Sequence, residues 1–169
     1  MRALVTGGAG FIGSHLVDRL LKDGHEVTVL DNFSRGGPHN LSDASANPKL
    51  TVHRVDITNA FENRPLLTGV EWVFHLAALA DIVPSIESPL TYHQANVDGT
   101  VAVLEAAREA GVKKFVYAAS SSCYGLPDLF PTPEDAAIRP MYPYALTKNL
   151  GEQCVMHWHQ VYGLPCVSL

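Results

Sequence analysis

Apolar positions along the chain keep two alternating rhythms. Continuous runs at Ala3 to Val5, Val27 to Leu30, Leu50 to Val55, Glu71 to Ala78, Lys113 to Ala119 and Pro165 to Leu169 are rich in branched and aromatic side chains. Runs of that length, bounded by turn-formers, predict strands buried on both faces. Between them the period changes to that of a helix. Phe11, Ile12, Leu16, Val17, Leu20 and Leu21 recur up to Gly24, and Val97, Val101, Leu104 and Ala107 recur within a segment from Pro89 to Ala110 that stops at Gly111. A short helix is predicted around Ala60 to Leu67, and a long one from Tyr144 to Tyr162, ended by Gly163. The segment from Asn32 to Asn47, rich in Gly, Pro, Ser and Asn, reads as a surface loop with a mobile tip, and Leu126 to Pro143 reads as a proline-rich loop.

Strands alternating with helices predict an α/β domain, a parallel sheet with right-handed crossovers and helices on both faces. The first junction sharpens that picture. The first strand runs directly into Gly7, Gly8, Gly10 and Gly13, and the first helix follows at once. Gly8, Gly10 and Gly13 satisfy G-x-G-x-x-G, and Gly7, Gly10 and Gly13 a G-x-x-G-x-x-G. Such glycines serve a tight turn, a close backbone approach to a pyrophosphate, and close packing of helix on strand, while the helix start offers free N–H groups to phosphate. Asp31 ends the second strand about 20 residues beyond Gly13, the distance at which an acidic residue binds the adenosine ribose hydroxyls. A carboxylate there repels a 2′-phosphate, so NAD is favoured over NADP, with Arg35 nearby as a counterweight. The prediction is a Rossmann-type doubly wound sheet in the order 3-2-1-4-5-6, spanning residues 1–169, with its ligand crevice between strands one and four.

Composition adds limits. The 169 residues suit one domain, and no apolar run approaches the ~20 residues of a bilayer span. A net charge of −5 with no basic run disfavours nucleic acid. Cys123, Cys154 and Cys166 are odd in number and lack metal spacing, which points to the cytoplasm. His157 and His159 point to different sides of their helix and His75 closes a buried strand, so no metal is predicted. The chain stops inside an apolar strand, and the expectation is an amino-terminal piece.

Small residues, Ala77 and Ala78, end the fourth strand, where they would let a ligand lie against the backbone or let a helix pack closely. Tyr144 and Lys148 stand four apart at the start of the last helix, hence on one face. A tyrosine with pKa about 10 is a poor base at neutral pH, but a neighbouring ammonium favours its phenolate. Ser120, delivered by the fifth strand, would hydrogen-bond the substrate oxygen that Tyr144 deprotonates. An exposed Tyr/Lys pair and a plain serine-rich loop are the alternative readings.

These residues together resemble the extended short-chain dehydrogenase/reductase family, and within it the NAD-dependent nucleotide-sugar epimerases of the UDP-glucose 4-epimerase type. The resemblance rests on Thr6 to Gly13, Asp31-Asn32, Asp56-Ile57, His75 to Ala78, Asn96 to Thr100, Ser120 to Gly125 and Tyr144-x-x-x-Lys148. It implies that Gly7, Gly10, Phe11, Ile12 and Gly13 line the pyrophosphate. Asp31 and Asn32 would hold the adenosine ribose, Asp56 and Ile57 the adenine, and Leu76, Ala77 and Ala78 would flank the dinucleotide with Asn96 near the site. Lys148 would hold the nicotinamide ribose and tune Tyr144, and Ser120 matches the family's catalytic Ser/Thr.

The implied reaction is epimerisation at C4 of a UDP-hexose through a 4-keto sugar, with the hydride returned to either face. Ser121 and Ser122 stand where related dehydratases carry acidic residues, which favours epimerase over dehydratase or ketoreductase. A non-catalytic dinucleotide-binding regulatory module is the rival of another class. Ala80 replaces the lysine of galactose epimerases, and Tyr117 to Gly125 looks more like epimerases of N-acetylated or uronic UDP-sugars. The resemblance also implies a smaller sugar-binding domain beyond residue 169, and a homodimer built on the helices near 89–110 and 144–162.

Overall fold

The computed structural model describes the backbone of residues 1–169 and every side chain except those of residues 60 and 61. In chain order its elements are β1 (Arg2–Thr6), α1 (Phe11–Lys22), β2 (Glu26–Asp31), β3 (Leu50–Arg54), α2 (Ala60–Asn63), β4 (Trp72–His75), α3 (Ile82–Glu87), α4 (Pro89–His93), α5 (Gly99–Ala110), β5 (Lys114–Tyr117), α6 (Pro143–Tyr162) and β6 (Cys166–Ser168). All pairings are parallel and the order is β3-β2-β1-β4-β5-β6, the doubly wound sheet that the alternation predicts.

Each face has its own apolar layer. On one, Val17, Leu20 and Leu21 of α1 pack on Ala3, Val5, Val27 and Val29. On the other, Val103, Leu104 and Ala107 of α5 and Val155 of α6 close over Leu4, Leu30, Val73 and Phe115. Consecutive strand residues divide between the layers, as alternate Cβ directions require.

The structure differs from the expected elements in instructive places. Strands four and five stop earlier than their apolar runs, leaving Leu76 to Leu79 and Ala118 to Ser120 as extended backbone at the carboxyl edge of the sheet. The helix expected over 89–110 is continuous but widens into a π-helix at Gln94–Asp98, where α6 comes close. A side chain on Gly151 would collide there with the Tyr117 hydroxyl and the Asn96 carbonyl. An unexpected short helix, α3, precedes it. The segment 32–47 lies at the surface as expected, with most of its residues exposed, but it is anchored inward. A 3₁₀ turn at Pro38–Leu41 folds it back, and Leu41 and Ala44 are buried in the α1 layer.

Candidate active site

The carboxyl ends of β1 to β4 line an open cleft of about 120 Å³, bordered among others by Gly7, Gly10, Asp31, Asn32, Asp56 and Ala77. It lies at the switch point of the sheet, where β1 and β4 run side by side but their chains lead away in opposite directions, the expected ligand position for this topology.

Glycine is required at the cleft by sterics. Gly7 has φ +70°, and a Cβ on it would stand 2.7 Å from the Ala77 nitrogen. On Gly13 it would strike the Gly7 carbonyl oxygen. No side chain caps α1, whose first turn carries no acidic residue, so its N-terminal amide groups keep their partial positive charge, and its N-cap residue Gly10 lines the cleft. Phe11 and Ile12 have exposed side chains there.

A set of hydrogen bonds holds this glycine turn. The Ala9 amide donates to Asp31 Oδ2 at 2.9 Å, and the Phe33 amide donates to Asp31 Oδ1 at 2.8 Å. The Ala9 carbonyl accepts from Asn40 Nδ2 at 2.7 Å and from the Gly37 amide at 3.2 Å. The backbone of one residue is thus gripped on both sides, at its N–H and at its carbonyl. Farther along the cleft, Asn32 Nδ2 donates to Asp56 Oδ2 at 2.9 Å, while Asp56 Oδ1 accepts from the Thr58 amide and hydroxyl. Burial works against the Asp56 charge, yet these hydrogen bonds outweigh it and hold the carboxyl below its usual range.

Tyr144 and Lys148 lie on the first turns of α6, and Ser120 follows β5, the neighbour of β4. The Tyr144 hydroxyl donates to Ser120 Oγ at 3.4 Å. Ser120 Oγ is closer to Ser122 Oγ, at 2.6 Å, and also accepts from the Ser122 amide at 3.3 Å. Lys148 is buried. Its Nζ donates to the Ala118 carbonyl at 2.6 Å and lies 4.2 Å from the centre of the Tyr117 ring. Burial lowers the Lys148 pKa to about 8, against the opposing pull of the Glu152 charge. Tyr117, the other phenol nearby, is no candidate base. Burial pushes it up, and its hydroxyl donates to the Lys148 carbonyl at 3.1 Å.

The structure therefore brings Gly7, Gly10, Asp31, Asn32, Asp56, Ile57, Leu76, Ala77 and Ala78 to one cleft. Phe11, Ile12 and Gly13 stand at the head of α1, and Ser120, Tyr144 and Lys148 form a second group at the carboxyl end of β5. Asn96 belongs to neither wall. It is buried, with both amide hydrogens spent on Leu79 O and Thr147 Oγ1 and its Oδ1 accepting from the Leu79 amide. Among the described residues no group of His, Cys, Asp and Glu could hold a metal ion.

The profile of the NAD dependent epimerase/dehydratase family matches residues 3–169. The chain belongs to this family. UDP-glucose 4-epimerase of Mycolicibacterium smegmatis is 44% identical over 98% of the chain and 54% of that protein. Among solved structures, the UDP-glucose 4-epimerase of Thermotoga maritima with UDP-glucose superposes with a TM-score of 0.92 at 36% identity, over 99% of this chain and 54% of the other. The dTDP-glucose 4,6-dehydratase of Streptomyces venezuelae with NAD bound gives 0.95 at 35% identity, over 99% and 54%. The chain spans about half the length of the curated relatives it matches. Its sheet order is the one expected of a Rossmann-like member of the family.

Sequence reading missed Asn40 and Thr147, and the hydrogen bond of Ser122 to Ser120. Asn40 had one available signal, since Pro38 followed by Leu41 is the pattern of a short helical turn with one buried side chain.

Proposed function

We propose that this chain is the NAD-binding and catalytic part of a cytoplasmic UDP-sugar 4-epimerase. The observation that carries the reading is the Tyr144–Ser120 hydrogen bond beside the buried Lys148 ammonium, at the sheet edge next to the cleft.

The cleft residues fit a dinucleotide. The glycine turn leaves no room for Cβ atoms, α1 offers an uncapped N-terminus to a pyrophosphate, and the Asp31 carboxylate can accept from ribose hydroxyls while repelling a 2′-phosphate. Gly7, Gly10, Phe11, Ile12 and Gly13 would line the pyrophosphate, Asp31 and Asn32 the ribose, Asp56 and Ile57 the adenine. Leu76, Ala77 and Ala78 would flank it, with Asn96 supporting that wall. When bound, NAD supplies a reversible hydride acceptor.

The residues of the chain then do the acid–base work. Tyr144 Oη takes the proton of the sugar 4-hydroxyl and later returns it. The Lys148 ammonium lowers the cost of the phenolate, and Ser120 holds the same sugar oxygen by a hydrogen bond. Elimination would need a second acid and base, and the two positions after Ser120 are Ser121 and Ser122, so we favour epimerisation over the dehydratase and ketoreductase alternatives. Free thiols at Cys123, Cys154 and Cys166 suit a reducing compartment. Exposed Leu90, Leu146, Met156 and Val161 along α4 and α6 support a homodimer through these helices.

The test is turnover by the complete protein without added cofactor, beside Tyr144→Phe. Interconversion of UDP-glucose and UDP-galactose, or of their N-acetylated forms, is expected from the first. A loss of at least about 10²-fold with NAD affinity unchanged is expected from the second. Wild-type turnover by Tyr144→Phe overturns the assigned base.

A further inference from the structure

Five buried polar side chains sit between the cleft and the catalytic helix, and none of them has a part in the reaction proposed above. They are Thr6, His75, Asn96, Thr100 and Thr147, each no more than 3% exposed. A buried polar group without a partner is costly, so where their hydrogens go is a closed accounting problem.

The accounting has one solution. Thr100 Oγ1 donates to the Asn96 carbonyl at 2.7 Å. Its only hydrogen is then used, so across the 3.0 Å contact with His75 Nε2 it can only accept, and Nε2 carries the imidazole proton. A neutral ring then leaves Nδ1 bare. Thr6 Oγ1, 2.8 Å from Nδ1, must donate to it, and that same oxygen accepts from the Ala77 amide at 3.2 Å. Every donor points the same way, from the Ala77 amide through Thr6, His75 and Thr100 to the Asn96 carbonyl. The Asn96 side chain continues the path. It grips Leu79 on one side and donates at 3.0 Å to Thr147 Oγ1, which donates to the Tyr144 carbonyl at 2.9 Å.

The ring is also held laterally, 5.9 Å from Tyr117 in a stacked arrangement and 5.8 Å from Phe115. Neither phenyl nor phenol face offers the ring a competing acceptor for its Nε2 proton. The π-helix at Gln94–Asp98 contributes Asn96 from its middle, and irregular helical turns of this kind recur at functional sites.

We propose that His75, fixed as the Nε2–H tautomer, is a positioning residue that sets the cleft wall at Ala77 against the first turn of α6, and so sets the distance from bound dinucleotide to Tyr144. This rests on the reading of the cleft as a dinucleotide site, but the relay itself does not. Ala77 faces the cleft, Thr147 is one turn from the phenol bearer, and His75 on β4 joins Thr6 of β1 to Thr100 of α5, which in turn bonds the π-helix at the Asn96 carbonyl.

Thr100→Val removes the acceptor of His75 and the donor to Asn96 with little change of shape, whereas Thr100→Ser keeps the hydroxyl. Two readouts are taken on the folded chain: the His75 tautomer by ¹⁵N NMR of the imidazole, and the NAD dissociation constant by titration. Wild type and Thr100→Ser are expected to show protonated Nε2 and bare Nδ1. Thr100→Val is expected to show a mixed tautomer population and NAD binding weaker by roughly three- to tenfold, the scale of one net hydrogen bond. Should Thr100→Val not fold, Thr147→Val interrupts the far end of the path and is expected to weaken NAD binding by roughly the same three- to tenfold with the His75 tautomer unchanged, and unaltered NAD affinity in that variant overturns the relay. A wild-type ring protonated on Nδ1, or a Thr100→Val chain with unaltered tautomer and NAD affinity, overturns the relay. Failure of the wild-type chain to bind NAD, with the tautomer as stated, overturns the function instead.

Discussion

The two walls of the site are built differently. On the glycine-turn side, the Ala9 N–H is held by Asp31 and its carbonyl by Asn40 and Gly37, and Asn32 is tied to Asp56, so the surface that would meet a dinucleotide is fixed by hydrogen bonds among its own atoms. On the chemical side, Ser120 Oγ is 2.6 Å from Ser122 and 3.4 Å from Tyr144. Its shorter contact is to Ser122 rather than to the proposed base. The binding wall is preorganised, while the chemical wall holds its hydroxyls in a resting pattern that a substrate oxygen would have to reorder. Bonds made tight only in the reacting complex are those that speed a reaction rather than merely bind the substrate.

The difference is broken most severely at Lys148. Lys148→Met keeps an unbranched chain of similar length in the buried slot but removes the ammonium assigned to the proposed chemistry. Turnover at saturating NAD is expected to fall by about 10²-fold or more. The pH dependence carries the sign. Because burial sets the Lys148 pKa at about 8, the ammonium is intact below that pH and is lost as pH rises through it. The alkaline limb of the wild-type rate profile is therefore expected near pH 8, and its absence from Lys148→Met checks the assignment. An alkaline limb that persists unchanged in that variant would remove Lys148 from the chemistry.

On the binding wall, Asn40→Ala takes one grip from the Ala9 carbonyl and leaves the Gly37 amide as the other. The expected outcome is NAD binding weaker by about tenfold, the upper end for a single buried hydrogen bond, with turnover at saturating NAD unchanged. Asn40→Asp, an acceptor facing an acceptor, is expected to be no better than alanine. Titration of both variants with NAD, beside a thermal melt, separates loss of the grip from loss of the fold.

These two residues also mark what was legible in the sequence. Lys148 was in part, because it stands four residues after Tyr144 on one helix face, though the spacing alone fits an exposed pair equally well and it took Ser120 after the fifth strand to tip the reading. The sheet order and the glycine turn were legible for a similar reason. Strand and helix periods are local, and Gly7 and Gly13 are demanded by collisions with nearby backbone. Asn40 was hidden, since Asn in a stretch of Gly, Pro and Ser looks like any turn residue, and only the buried Leu41 beside it turns the segment inward. The relay through Thr6, His75 and Thr100 was hidden more deeply. A threonine in a strand or a helix gives no sign of its partner, and it is the register placing Thr6 opposite His75, and His75 opposite Tyr117, that assembles the set. The π-helix left no periodic trace, because Gln94 to Asp98 adds a single wide turn within an otherwise regular pattern.

The smallest effect is expected at Ser122, and it tests the resting-pattern idea directly. Its hydroxyl competes with Tyr144 for Ser120, so Ser122→Ala removes the competitor while leaving the Ser122 amide bond to Ser120 Oγ in place. Were Ser122 only a brace, its loss would free Ser120 to wander, and turnover would fall with the Michaelis constant unchanged. If it instead holds Ser120 in a resting position, its removal lowers the cost of turning that hydroxyl toward the substrate, and turnover is expected to rise by roughly two- to threefold. That scale follows from the lower end of a net hydrogen-bond contribution, about 0.5 kcal/mol, because both partners are half-buried and water can replace the lost contact. Steady-state kinetics of the complete protein at saturating sugar nucleotide reads the direction. A fall in turnover would return the chemical wall to the same preorganised kind as the glycine turn.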